Sequence, residues 1–378
     1  MMIKIKLNLQ GKVDDSYQVM IGRNLWAAIA KDLAENPPGK KCVVITDSMV
    51  IDLYGEKILS ALCDAGIDAC ALYFSAGEAS KNPKTWLGLA HEMLRLGYGR
   101  DSFIIALGGG VVGDVAGFLA STYMRGIPWV QVPTTLLAMA DASVGGKVGI
   151  DLPLGKNLLG AFHQPKAVYA DIDCLKTLPR AHLLNGMAEV VKSSLIKDAA
   201  LFFLLEKKGK EIVKLKGDAI AKTLARSVKV KATVVEKDAH ETLGLRKILN
   251  YGHTMGHGLE TLSNYRLLHG FAIAFGMRAA GRIAVEAGFL KKSDLDRQNR
   301  LLKKLGFPSR LPARLAVLLK SKSGRSKFFI ILARDKKAKS GRVEMVLLSG
   351  IGRVKHSGKE WTVPVGEKFI ALGLEEIM

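Results

Sequence analysis

The sequence predicts an α/β protein: a parallel sheet covered by helices, followed by a mostly α-helical second half. Three observations carry this. Up to about residue 180, short apolar runs alternate with stretches of helical period, the pattern of a parallel sheet with helices on both faces. Beyond residue 182 the 3.6-residue period dominates. The chain has 378 residues, too many for one ordinary core, so two domains are expected, 1–178 and 179–378, divided near "LKTLPRAH" (175–182).

In chain order, "MMIKIKLNLQGKVDD" (1–15) alternates as a strand does and lacks the apolar core and small-residue cleavage site of a signal peptide. "KCVVIT" (41–46) reads as a buried strand, 49–65 as a helix and "ACALYF" (69–74) as a second strand. "PKTWLGLAHEMLRLG" (83–97) is an amphipathic helix, and "SFIIALGGG" (102–110) is a strand ending in glycines. In the second half "NGMAEVVKSSLI" (185–196) is helical, and a β-like stretch returns only near 327–348. No internal repeat or low-complexity segment is present.

Hydrophobic residues make up 48% of the chain and aromatics 7%, which suits an Ala/Gly/Val/Leu-rich enzyme and excludes a disordered protein. No apolar run reaches the ~20 residues of a membrane span, so no membrane partner is expected. Cys42, Cys63, Cys70 and Cys174 sit in apolar surroundings without CxxC spacing, and read as reduced, buried thiols of a cytoplasmic protein. The net charge of +21 is concentrated in 205–237 and 291–340. Those stretches lack interleaved aromatics or a nucleic-acid-binding motif, so no nucleic-acid partner is expected. Solubility and the steering of an anionic substrate account for such charge better.

"FIIALGGGVVGDVAGFLAS" (103–121) reads strand, glycine turn, helix. Glycines let the backbone approach a pyrophosphate, whose charge the helix N-terminus favours. The spacing is Gly108-Gly109-Gly110-x-x-Gly113-Asp114 rather than GxGxxG, and a tight strand-to-helix turn would use the same residues. Asp47 follows a strand, as a ribose-binding acid does, and "GEASK" places Glu78 and Lys81 where they could flank a nucleotide. Downstream, Arg125, Asp141, Lys147, Lys156 and Asn157 fall among glycines and small apolar residues. Two "GK" steps place Lys147 and Lys156 on tight turns, where an ammonium can meet a phosphate. Thr134 and Thr135 follow a proline, a helix start or a hydroxyl contact to a nucleotide.

Glu189 and Lys192 lie one turn apart on one helix face. "LNYGHTMGHGLETLSNYRLLHG" (249–270) then brings His253, His257 and His269. A helix puts His253 and His257 on the same side. One carboxylate and two imidazoles make a sound zinc set with positions left for substrate; spacing alone leaves open which two. The HExxH arrangement is excluded, because Thr254 stands where its Glu would be. His91, His163, His182, His240 and His356 are scattered and read as ordinary.

"GGGVVGDVAGFLASTYMRG", "VPTTLLAMADASVGGKVGID", "PLGKNLLGAFHQP", "GMAEVVK", "LRKILNYGHTMGHGLE" and "HGFAIAFGM" occur together, in this order. In this the chain resembles the 3-dehydroquinate synthase family from about residue 40 to beyond 350. The resemblance implies an N-terminal Rossmann-like domain, a helical C-terminal domain and an active site between them. It implies NAD and one divalent metal per subunit, zinc foremost and cobalt the alternative. The implied reaction converts 3-deoxy-D-arabino-heptulosonate 7-phosphate, a phosphorylated sugar acid, to 3-dehydroquinate and phosphate.

The same resemblance assigns the metal to Glu189, His253 and His269, and leaves His257 beside substrate. Asp47, Glu78, Lys81, the glycine loop with Asp114, Thr134, Thr135 and Thr177 match NAD-contacting positions, with Lys147 and Lys156 alongside. Asp141, Lys147, Asn157, Lys192, Lys231, Arg246 and Asn250 match substrate-site positions. Arg125 matches an arginine that reaches the phosphate from a neighbouring subunit, which implies a homodimer. In "DKK" (335–337), Lys336, beside Lys337, is the candidate for a family lysine near substrate. Two departures stand out. "DAHETLGLR" (238–246) is one residue longer than the usual acidic stretch, where Glu241 matches a substrate-site glutamate. Phe271 stands where the family often has a Glu just after the metal histidine.

Two related activities compete: another sugar phosphate cyclase such as 2-deoxy-scyllo-inosose synthase, and a metal-dependent glycerol or alcohol dehydrogenase. Lys231, Arg246 and Asn250 together favour a carboxylate-bearing substrate over the first. Ser193, four residues after Glu189 where the dehydrogenases place a His, argues against the second.

Overall fold

In a computed structural model, residues 14–334, 343–358 and 360–378 are described. The first half runs β1 (Gln18–Gly22), α1 (Trp26–Glu35), β2 (Lys41–Asp47), α2 (Ser48–Val50), a π-helical turn, α3 (Glu56–Asp64), β3 (Ala69–Phe74), α4 (Pro83–Arg95), β4 (Ser102–Gly108), α5 (Gly110–Thr122) and β5 (Trp129–Pro133). A hairpin of β6 (Lys147–Leu152) and β7 (Gly155–Phe162) follows, then β8 (Ala167–Asp171). Six strands form one sheet in the order β1-β8-β5-β4-β2-β3, every pair parallel.

The central strands are apolar throughout because both faces are covered. Cys42 and Val44 of β2 point into one core and Val43 and Ile45 into the other, the two-residue alternation of a strand buried on both sides. From β2 the chain moves outward to β3, then returns across β2 to β4. Open parallel sheets bind ligands beyond the strand ends at such a reversal. Asp47 ends β2 there and the glycine loop follows β4.

The second half is helical: α6 (Arg180–Lys197), α7 (Ala199–Ile212), α8 (Ala219–Lys237), α9 (His253–Leu262), α10 (His269–Glu286), α11 (Lys292–Leu305), α12 (Ala313–Lys320) and α13 (Lys322–Arg334). Short strands β9 (Val343–Met345), β10 (Leu348–Gly350), β11 (Arg353–Val354) and β12 (Val363–Val365) precede α14 (Glu367–Ile377). Helix α6 is buried along its whole length from Leu183 to Ile196, so its sequence carries almost no amphipathic signal. One continuous apolar core joins one face of the sheet to this bundle.

Four expectations need correction or fall outside. The β-like reading of 327–348 fails for its first part, because "KFFIILA" lies in α13 and buries Phe328 and Leu332, one turn apart, against α9. A short apolar run does not reveal its own period. Lys147 and Lys156 lie on strands of the β6–β7 hairpin rather than in turns. Cys63 is exposed and Cys70 half-buried, so only Cys42 and Cys174 are buried thiols. The strand reading of residues 1–15 falls mostly outside the described residues, as do Lys336 and Lys337.

Candidate active site

The cofactor-type residues gather where β2, β4 and β5 end. The Asp47 carboxylate caps α2, accepting from the Met49 and Val50 amides at 3.0 Å each. Gly109 has an extended backbone, so it is needed for close approach rather than for a left-handed turn: a Cβ there would sit 3.1 Å from Thr135 Cγ2. The Thr134 amide donates to the Gly108 carbonyl at 2.9 Å, and Thr135 Oγ1 accepts from the Ala138 amide at 3.2 Å. Lys81, 4% exposed, meets Asp114 Oδ2 at 2.5 Å and hydrogen-bonds Asn157 Oδ1. Burial works against its ammonium, but Asp114, Glu78 and Asp151 raise its pKa and keep it charged. Glu78 pairs with Lys156 at 2.7 Å. Thr177 hydrogen-bonds the Tyr54 hydroxyl and donates to the Cys174 carbonyl.

The metal-type residues come from three helices. Glu189, 1% exposed, sits mid-way along α6. His253 opens α9 directly after Gly252, whose φ of 81° only glycine adopts freely and whose absent side chain leaves room for Met277 and the Ile273 carbonyl of α10. His269 opens α10, and Gly270 lets that helix start touch α6: a Cβ there would lie 2.1 Å from the Asn185 carbonyl oxygen. The Gly270 amide donates to Asn185 Oδ1 at 2.6 Å, one turn before Glu189.

Glu189 Oε1 consequently lies 3.6 Å from His253 Nε2 and 3.4 Å from His269 Nε2, while Lys192 Nζ touches Oε2. Neither carboxylate oxygen receives a well-directed hydrogen bond among the described residues. A buried carboxylate without such bonds is costly. Tetrahedral zinc, with bonds of about 2.0–2.1 Å, separates its ligands by about 3.3–3.5 Å; the two carboxylate–imidazole spacings are close to this, and the three ligand atoms all lie within 4.8 Å of one another, near enough to hold one ion. The outward nitrogens suit this too. His253 Nδ1 is 3.3 Å from the Tyr251 carbonyl, and His269 Nδ1 is 3.3 and 3.4 Å from the two Glu260 oxygens. A proton held at Nδ1 leaves the Nε2 lone pair for a metal.

The charges follow from the same geometry. Despite burial, Lys192 and the two imidazoles hold Glu189 well below the usual carboxylate range. Lys192 is raised, as Glu189 and Asp141 outweigh its burial. Burial drives His253 well below the ordinary imidazole value, Lys192 and the neighbouring rings adding to the effect. His269 moves the other way, to about 10, because Glu189 and Glu260 together overcome burial.

His257 is exposed and groups with Glu260 and His269 rather than with Glu189. Its ring centroid is 5.3 Å from that of His253 and 5.9 Å from that of His269, so all three histidines share one cleft. Beside them Asp141 Oδ1 meets Lys231 Nζ at 2.8 Å and Lys192 Nζ at 3.9 Å. Arg246, 3% exposed, donates to the Ala239 carbonyl at 2.8 Å and has Nε 3.5 Å from Glu241 Oε1. Lys147 pairs with Glu241 at 2.5 Å. Asn250 ends the 3-10 turn Leu245–Asn250, three residues before His253. Asn157 is tied through Lys81 to the glycine-loop side. Arg125 is exposed and makes no ion pair among the described residues. Arg125, Asn157 and Glu241 share one property, φ values of 71°, 54° and 58°, the left-handed region that costs a non-glycine residue about 1 kcal/mol or more.

Glu260 was not singled out from the sequence. Its signal was its place seven residues after His253 and three after His257, on the same helix face. Phe271, where a Glu was expected, instead packs edge-on against Phe307 at 5.6 Å between centroids.

Solved structures share this fold. A 2-epi-5-epi-valiolone synthase from Streptomyces hygroscopicus subsp. jinggangensis 5008, with NAD+ and Zn2+ bound, matches with a TM-score of 0.84 and 28% identity, over 98% of each chain. A 2-deoxy-scyllo-inosose synthase, complexed with carbaglucose-6-phosphate, NAD+ and Co2+, matches with a TM-score of 0.82 and 27% identity, over 95% of this chain and 96% of that one. Glycerol dehydrogenase from Schizosaccharomyces pombe shares the fold alone, at 16% identity and a TM-score of 0.68, over 95% of this chain and 88% of that one. Fold and site thus define an enzyme of the sugar phosphate cyclase class.

Within that class, the family model described as 3-dehydroquinate synthase N-terminal matches residues 71–185, and the one described as 3-dehydroquinate synthase C-terminal matches 186–338. The 3-dehydroquinate synthase of Prochlorococcus marinus (strain AS9601) is 43% identical over 346 residues, 90% of this chain and 93% of that protein. That of Nostoc punctiforme (strain ATCC 29133 / PCC 73102) is 43% identical over 344 residues, 90% and 92% respectively. The chain belongs to the 3-dehydroquinate synthase family.

Proposed function

We propose that the protein is a 3-dehydroquinate synthase that converts 3-deoxy-D-arabino-heptulosonate 7-phosphate to 3-dehydroquinate and phosphate. The observation that carries this is the buried Glu189 carboxylate facing two imidazole nitrogens, with Lys192, Lys231 and Asp141 beside it. NAD at the glycine loop would supply transient oxidation and re-reduction of one substrate carbon, and zinc or cobalt would polarise the oxygen on that carbon. The comparison structures carry NAD+ with Zn2+ or Co2+, which supports both assignments.

The chain's own residues would do the rest. Glu189, His253 and His269 would hold the metal, and His257, exposed in the same cleft, would face substrate and move a proton. Asp141 fixes the Lys231 ammonium by its carboxylate and its carbonyl, and fixes Lys192 more loosely. Lys231 and Arg246, both nearly buried, would bind the substrate carboxylate, and Asn250 would orient a hydroxyl. Lys156 and Asn157, near Glu78, Lys81 and Asp114, would receive the phosphate end, and Lys147 would reach it from the Glu241 side. The strained, outward Arg125 would enter a second copy's site, making a homodimer the working unit. Residues 1–178 would form the nucleotide domain and 179–378 the metal and substrate domain. The start of α6 at Arg180 supports that division.

The test gives the purified protein the heptulosonate phosphate with NAD+ and zinc. Phosphate release without net NADH is expected. No phosphate release, or steady NADH production from a simple alcohol, overturns the reading. Faster turnover of a hexose phosphate lacking the carboxylate would reassign the substrate within the class.

A further inference from the structure

Away from this cleft, a second group of cations surrounds an open hollow of about 330 Å³ between α10, α11, the 306–312 turn and α14. At its base is Arg278, 3% exposed. Its Nε and one terminal nitrogen, Nη2, are buried and have no hydrogen-bond partner among the described residues. Burial pulls its pKa down to about 10, with Glu376 opposing, so the side chain stays cationic at neutral pH. A buried guanidinium with two unused donors is expensive unless something accepts from it. The nearby carboxylates are engaged: Asp296 with Lys292, and Glu376 with the Asn299 amide at 2.8 Å.

We propose that this hollow is an anion site for phosphate, free or as a small phosphomonoester. Arg300, Lys303 and Arg310 stand exposed around it and form no ion pair among the described residues. Four lining cations (Arg278, Arg300, Lys303, Arg310) and Lys292, which pairs with Asp296, stand against two carboxylates (Asp296, Glu376), a surplus of three positive charges that exceeds what one phosphate dianion needs. A tetrahedral oxyanion offers acceptors in several directions at once, so it can meet the Arg278 guanidinium, whose Nη1 is the one nitrogen not sealed off, at the floor and the exposed side chains at the rim. Arg278 lies nine residues after His269 on α10, roughly 13 Å along the axis, so this is a site apart from the metal-type cluster.

Calorimetric titration of the full chain with inorganic phosphate tests this, at fixed ionic strength and with glycerol 1-phosphate as a second arm. Apart from an event at the active cleft, which Lys147→Ala removes, the wild type should show a second binding event that Arg300→Ala/Arg310→Ala weakens at least tenfold and Arg278→Met abolishes. Circular dichroism of each variant confirms the fold, and the rim double variant remains informative if Arg278→Met does not fold. A preference for phosphate over the ester assigns the free ion, and equal or reversed affinity assigns a phosphomonoester. Identical isotherms for wild type and rim variant overturn the proposal. So does a wild type whose sole binding event disappears in Lys147→Ala, since it would belong to the active cleft.

Discussion

Gly276→Ala is the sharpest probe of how the fold builds the metal cluster. Gly276 lies in the first half of α10, where that helix crosses α9. A Cβ added there would sit 1.9 Å from the Gly252 carbonyl oxygen and 2.9 Å from the Gly256 amide nitrogen. Both are backbone atoms and cannot rotate away. Reaching even the shortest distance real Cβ atoms show, 3.0 Å, requires the helices to part by about 1.1 Å. Metal sites tolerate about 0.2 Å in their bonds. His253 opens one of these helices and His269 the other, so the ligand set opens with them. Overpacking costs about 1–3 kcal/mol, from which up to about 1 kcal/mol of helix propensity gained by Ala is subtracted. Zinc competition against a chromophoric chelator should show affinity reduced a hundredfold or more, with a net loss of up to about 2 kcal/mol in urea denaturation. Gly88→Ala on α4 is the control, because nothing lies within 4 Å of its added Cβ. It should leave zinc affinity unchanged. Wild-type zinc affinity in Gly276→Ala would refute the reasoning.

Four further outcomes are expected. Glu260→Ala removes the carboxylate at 3.3 Å from His269 Nδ1 and should weaken zinc binding about tenfold to a hundredfold by the same titration; unchanged affinity would deny it a role. His253→Ala and His269→Ala should lose zinc in elemental analysis, whereas His257→Ala should keep zinc and lose turnover; loss of zinc there would reassign the ligands. Arg226 and the Leu201 amide hold Asp198 below its ordinary value of 3.8 against the opposing effect of burial. Its contribution to stability is therefore complete above about pH 4 and is lost as pH falls through the depressed native value. Asp198→Asn should be less stable near neutrality and lose part of the acid-side slope of denaturation; a slope matching the wild type would count against this.

The sheet was legible because buried parallel strands declare themselves as continuous apolar runs between glycine and helical stretches, as in "KCVVIT" and "SFIIALGGG". The Glu189–Lys192 contact was legible because both residues share one helix face. What failed to show depended on partners distant in sequence. The β6–β7 hairpin is glycine-rich, and its pairing needs Gly149 and Gly160 face to face, so the lysines beside it looked like turn residues. Helix α13 hid because an apolar run short of two turns fits either period. Glu260 was passed over because a carboxylate three residues from a histidine is common, and only α10 brings His269 Nδ1 to it.

Isotopic labelling tests most directly the central claim that oxidation at this site is transient and internal. The heptulosonate phosphate is prepared with deuterium on the carbon whose hydroxyl is oxidised and is turned over with excess unlabelled NAD+. A hydride that leaves and returns within one closed site keeps the label, so mass spectrometry should find deuterium retained in the dehydroquinate and none in free NADH. Loss of the label from the product, or its appearance in the nicotinamide pool, would contradict the account.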